Sequence, residues 1–121
     1  MVNLRPSTAA DVAELFGRLD ISVIGITATE DERVLGMGAI YPHDGSLLLI
    51  CKVAPEARKH LPRHAKTMVK GARRLLAIAA QYKLPVRVVA DRKYPRAAAL
   101  IEHLGFKYIG KDVYECQATQ Q

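Results

Sequence analysis

Residues 47–58 read Leu47-Leu48-Leu49-Ile50-Cys51-Lys52-Val53-Ala54-Pro55-Glu56-Ala57-Arg58, and the fold turns on this stretch. The almost wholly apolar run Leu47–Val53 has strand length and predicts a strand buried on both faces at the centre of a sheet. Pro55 ends it. From about Pro62 to Tyr82 the apolar period changes to that of a helix. Met68, Val69, Ala72, Leu75, Leu76 and Ala79 form its inner side, and Lys66, Lys70, Arg73, Arg74 and Gln81 its outer one. Pro85–Asp91 is again strand-like. Strand, helix and strand in that order make a right-handed crossover between parallel strands.

On the N-terminal side, Val34–Ile40 and the β-branched run Ile21–Thr29 are strands joined by the acidic turn Glu30-Asp31-Glu32. Tyr41-Pro42-His43-Asp44-Gly45 reads as the turn into the central strand. Val2–Arg5 is a short strand ending at Pro6. Ser7 or Thr8 can cap a following helix that carries Asp11 and Glu14 early and Val12, Leu15, Phe16 and Leu19 on one side. On the C-terminal side, a helix starts near Pro95 and ends at Gly105, which suits its C′ position. Phe106–Ile109 and Val113–Cys116 close the chain as a hairpin around Gly110-Lys111. The order is β-α-β-β-β-α-β-α-β-β. This is an α/β (α+β) chain with a mixed, mostly antiparallel sheet and helices on both faces, and residues 1–121 are expected to form one domain.

Composition narrows the function classes. The 121 residues are 50% hydrophobic and 25% charged, which excludes a disordered tail and a disulfide-stapled mini-protein. No apolar run approaches the ~20 residues of a membrane span, and the N-terminus does not read as a signal peptide. A cytoplasmic protein with two reduced thiols, Cys51 and Cys116, is expected, with no membrane partner. Two cysteines and four scattered histidines show no zinc spacing, so no metal is expected. Residues 1–56 carry four Lys/Arg against eight Asp/Glu, whereas residues 57–121 carry fourteen against four. Between Ala57 and Ala90 there are nine basic residues and no acid. That half of the chain is suited to an anionic partner: nucleic acid, an acidic protein or a phosphate-rich cofactor.

Three segments carry a family resemblance. Leu4-Arg5-Pro6-Ser7-Thr8-Ala9-Ala10-Asp11 is similar to the first strand and helix cap of the GNAT (GCN5-related N-acetyltransferase) superfamily. Val53-Ala54-Pro55-Glu56-Ala57-Arg58 resembles its V-x-P-x-x-R segment, and Ala97 through Leu104-Gly105-Phe106 resembles its closing A-x-x-L-Y-x-x-L-G-F signature. The Arg96-Ala97…Phe106 ending also resembles small GNAT-like proteins of phages and prophages. The resemblance implies acetyl-CoA as cofactor and an amine as acceptor. It places Val53 on the pantetheine arm, and Arg58, Lys59, His60, Leu61 and Arg63 on the pyrophosphate at a helix N-terminus.

The chain departs from that family at the site. The family's phosphate loop reads R/Q-x-x-G-x-G/A, and here Arg58-Lys59-His60-Leu61-Pro62-Arg63 keeps the first cation and neither glycine. Glycine lets backbone approach phosphate closely, and Pro62 removes one N–H. The family Tyr that protonates the leaving thiolate corresponds to Ile101, and the usual Asn after the preceding strand corresponds to Tyr94, the candidate catalytic stand-in. No carboxylate lies on the central strand to act as base, and Cys51 reads as a buried small residue. Asp20-Ile21 passes from the first helix almost directly into a strand, which implies a shallow, open acceptor groove. Three readings follow: an acetyl-CoA-dependent N-acetyltransferase, a catalytically degenerate GNAT-like binding protein of phage type, and a nucleic-acid binder using the basic helix face. A homodimer through the sheet edge or the closing hairpin is compatible with each.

Overall fold

The computed structural model describes residues 2–17, 23–59, 61–91 and 96–117, with residues 61–63 described as backbone. Seven strands form one sheet in the order β1-β2-β3-β4-β5-β7-β6. They are β1 (Asn3–Pro6), β2 (Ile24–Glu30), β3 (Arg33–His43), β4 (Ser46–Val53), β5 (Pro85–Val89), β6 (Lys107–Gly110) and β7 (Val113–Gln117). Helix α1 (Ala9–Phe16) follows β1; α2 (Pro55–Arg58) and α3 (Leu61–Ala79) lie between β4 and β5; α4 (Ala97–His103) follows β5. Among the described residues only the β4–β5 pair is parallel, so the sheet is mixed and mostly antiparallel, with β4 at its centre.

Opposed residues in antiparallel strands share a face. The register Ile26↔Gly38 and Ile40↔Leu49, continued by Leu47↔Val86 and Val88↔Tyr114, sets these residues on one face. That face meets α3, where Leu75 and Ala79 join Ile40, Leu47, Leu49, Val86, Phe106 and Tyr114 in the core. Gly38 gives Leu75 its room: a Cβ there would stand 3.0 Å from Leu75 Cδ1. The opposite face, with Met37, Ala39 and Thr27 buried, is the side of α1, which packs against β3 and β4. Helices therefore cover both faces.

Thr8 is the N-cap of α1. Its Oγ1 accepts from the Asp11 N–H at 3.2 Å, while the Asp11 carboxylate accepts from the Thr8 N–H at 2.8 Å, a reciprocal capping box. Asp11 also takes the Arg5 guanidinium in a bidentate pair and the Thr27 hydroxyl at 3.1 Å. This ties β1, α1 and β2 through one buried carboxylate.

Several local expectations are corrected. Tyr41–His43 belong to β3, and the turn contracts to Asp44-Gly45. Pro42 is tolerated because it opposes Leu47 in a pair that exchanges no hydrogen bonds, so its missing N–H breaks no bond to β4. The last hairpin turns at Lys111-Asp112, one residue later than Gly110-Lys111, with both residues at positive φ. A short helical turn, α2, begins at Pro55, where proline's fixed φ suits the first helical residue. The strand that includes Leu47–Val53 is buried on both faces only in part: Leu47 and Leu49 are core, and Cys51 and Lys52 are exposed. Leu19, Asp20 and Ile21 lie outside the described residues.

Candidate active site

The exposure of Cys51 and Lys52 has a geometric cause. Strands β4 and β5 pair only at Leu47↔Val86 and Leu48↔Arg87. Beyond Leu48 no strand pairs with the β5-facing side of β4, and the sheet opens into a wedge at its C-terminal end. On its other side β4 stays bonded to β3 through to Ala54, whose N–H donates to Leu35 O at 2.8 Å.

The direction of each peptide group follows from that bond. In an antiparallel ladder alternate residues bond across the strand, and the residues between them point the other way. Because Ala54 points at β3, Val53 and Cys51 direct their backbone groups to the side where β5 has diverged. Two sheet-held N–H groups thus face the opening.

The mouth of the wedge is basic. Arg58 projects from the end of α2 and returns its Nε to the Val53 carbonyl oxygen at 3.3 Å. Lys59 follows, exposed, and α3 begins two residues later. Its first turn leaves the N–H groups of Leu61 and Arg63 without an intrahelical acceptor, whereas Pro62 has none to offer. Cys51 reaches solvent, yet desolvation by the surrounding protein raises its thiol above the ordinary cysteine range. It is therefore held as a thiol at neutral pH.

Val53 and Arg58 are joined by the hydrogen bond from Nε to the carbonyl oxygen, Lys59 follows Arg58 in the chain, and the backbone of Leu61 and Arg63 opens α3. His60 and Tyr94 lie outside the described residues. Ile101 packs on the core cluster from α4, so that position holds an apolar contact. Tyr114 is buried and Tyr108 is exposed on the edge strand, their rings 5.3 Å apart and tilted at 59°. Cys51, expected to be buried, is exposed instead. Sequence reasoning missed this because the departure of β5 is a long-range event with no local signature in β4. Among the described residues no His, Cys, Asp and Glu cluster could hold a metal ion, and no helix is long and apolar enough to cross a membrane.

A seven-stranded sheet that parts between β4 and β5, with a helix starting at the mouth of the gap, has the fold of the GNAT acyl-CoA N-acyltransferases. Among solved structures, this chain is similar to the ribosomal-protein-S18-alanine N-acetyltransferase of Escherichia coli, with 12% identity, a TM-score of 0.68, and coverage of 100% of this chain and 96% of the other. A spermidine N-acetyltransferase point mutant from Vibrio cholerae matches at 15% identity and TM-score 0.62, over 94% of this chain and 91% of its own. A structure assigned to the GNAT family from Desulfovibrio desulfuricans matches at 17% and 0.57, over 98% and 100%. At these identities the likeness is one of fold. No family model matches the sequence, and no curated protein matches it significantly.

Proposed function

We propose that this chain is an acetyl-CoA-dependent N-acetyltransferase with an amine acceptor. The observation that carries this reading is the wedge: β4 presents the Cys51 and Val53 N–H groups to a gap whose mouth holds Arg58, Lys59 and the start of α3. These residues fit a ligand with a long amide-bearing arm and a phosphate-rich end. Val53 would hydrogen-bond the pantetheine arm. Arg58 and Lys59 would hold the pyrophosphate beside the Leu61 and Arg63 N–H groups, with His60 as a further candidate. Flexible cations here take the place of the close backbone approach that glycines give.

When bound, acetyl-CoA supplies an acyl group activated as a thioester. The sheet-held N–H groups would stabilise negative charge developing on the acyl oxygen, without reorganisation, because the ladder with β3 already fixes their direction. With no carboxylate on β4, proton removal from the acceptor amine is assigned to a water relay, and Tyr94 is the candidate proton donor to the leaving thiolate.

The core packing of Ile101 favours a second reading, in which the chain binds acyl-CoA or a protein partner without catalysis. Calorimetric titration of acetyl-CoA, with free CoA as comparison, separates the readings. Saturable binding of one equivalent, with a Kd in the range of about 1–100 μM, is expected. Absence of binding at millimolar ligand overturns the transferase reading. Binding without turnover across a panel of protein N-termini, lysine peptides and polyamines leaves the non-catalytic one.

A further inference from the structure

We propose that the outer face of α3 is a docking surface for the phosphodiester backbone of a nucleic acid, separate from the acyl-CoA wedge. Lys66, Lys70, Arg73 and Arg74 are all exposed and recur at helical spacing along one side of this 19-residue helix. Together with Val69 and Ala77 they line a shallow, open depression of about 420 Å³. From Lys66 to Arg74 the stripe runs about 12 Å at ~1.5 Å per residue. A duplex presents one negative charge per ~1.7 Å of axis over that distance.

The placement of these charges works against the helix itself. Lys66 and Lys70, and then Lys70 and Arg74, are like-charged neighbours four residues apart, which destabilises an isolated helix. α3 has no acid in its first turn and no base in its last, so its own charges compensate neither end of the macrodipole, and the four cations sit together in its middle turns. Among the described residues no carboxylate pairs with them: the ion pairs are Arg5–Asp11, Arg33–Glu56, His43–Asp44 and Arg87–Glu115, none of them on α3. A partner of opposite charge resolves that repulsion.

The chemistry favours nucleic acid over an acidic protein. Protein interfaces depend on a desolvated apolar or aromatic anchor. Among the described residues the exposed large apolar ones, Ile24, Tyr82, Val89, Tyr108 and Ile109, are all away from the stripe. Only half-buried Val69 and the small Ala77 separate the cations. Charge without an anchor is what sequence-independent phosphate contact requires.

The test is fluorescence anisotropy of a labelled DNA duplex of about 20 base pairs titrated with the full chain between about 50 and 200 mM NaCl. Four phosphate contacts predict a slope of log K against log salt between about −3 and −4. The variant Lys66→Gln/Lys70→Gln/Arg73→Gln/Arg74→Gln should keep or raise the melting temperature, since it removes repulsion. It should lose at least about tenfold in affinity at the lowest salt, with a slope flatter than about −1. Saturating acetyl-CoA should leave DNA affinity unchanged. The proposal is overturned by no duplex binding at the lowest salt, by an unaltered slope in the variant, by competition from acetyl-CoA, or by tighter binding of polyglutamate than of DNA. Apart from competition, these outcomes leave the acetyl-CoA reading of the wedge untouched, and calorimetric titration of the quadruple variant with acetyl-CoA separates a shared site from two distinct ones.

Discussion

The Nε of Arg58 donates to the carbonyl oxygen of Val53, closing the short turn α2 back onto the end of the central strand. This bond uses one of five guanidinium N–H donors and leaves the other four, on the two terminal nitrogens of an exposed side chain, for a ligand. Arg58 is exposed, so its removal should barely touch stability, within about 0.5 kcal/mol. Arg58→Gln is expected to raise the Kd for acetyl-CoA about five- to tenfold, through loss of a charged phosphate contact. Calorimetric titration beside a thermal melt checks both halves. An unchanged Kd would remove Arg58 from the site.

The Asp11 carboxylate gives the fold a pH dependence. The Arg5 guanidinium holds it well below the usual carboxylate range, and the Thr8 N–H and Thr27 hydroxyl add to that effect against the cost of desolvation. A depressed folded pKa contributes stability that is fully present above the unfolded value, about 3.9, and is lost as pH falls below it. Because Arg5 is 40% exposed, solvent screens part of the pair. Asp11→Asn should therefore cost about 1–2 kcal/mol at neutral pH. The urea midpoints of the two proteins should draw closer as pH drops from about 5 to 3 and go on converging below that. Parallel midpoints across that window would show that the charge contributes nothing.

Gly105 terminates α4 in a Schellman arrangement. Its N–H donates to Glu102 O at 3.0 Å, and the Phe106 N–H donates to Ile101 O at 3.3 Å. The backbone there has φ of +97°, while the space a Cβ would enter is open. The cost of Gly105→Ala is thus conformational rather than steric, about 1 kcal/mol, with Phe106 still seated in the core. A denaturant titration measures it. A loss of several kcal/mol would instead mean that the closing hairpin had been displaced.

What could be read from the chain divides by the range of the forces. Gly105, the helical period of α3 and the apolar run of β4 express local backbone demands, and the helix end, the helix and the strand formed at about the places those demands put them. Tyr41-Pro42-His43 failed as a turn because the register, which no local rule sets, gave Pro42 a position where its N–H is not needed. Asp11 was legible as a first-turn acid, but its ion pair to β1 and its bond to β2 depend on strands meeting across the sheet. The same holds for the site. The basic residues after β4 were visible one by one, whereas the two N–H groups that face the wedge exist only because β5 departs after two registers.

That departure makes Cys51 a reporter for the wedge. Cys51 and Cys116 both have raised thiol pKa values, Cys116 up to about 11 through desolvation and the neighbouring Glu115. Both should therefore react slowly at neutral pH, since the thiolate is the nucleophile. They differ in access: Cys51 is exposed at the opening, whereas Cys116 is half-buried against the core. Near pH 8.5, maleimide should label Cys51 first, and Cys51→Ser should remove the faster phase. A ligand lying along the unpaired edge of β4 would pass the strand position that carries the exposed Cys51. Saturating acetyl-CoA should slow that phase about tenfold or more, following site occupancy, and leave the Cys116 phase unchanged. Equal slowing of both phases would point to general tightening of the fold. No slowing despite calorimetric binding would place the ligand elsewhere than between β4 and β5.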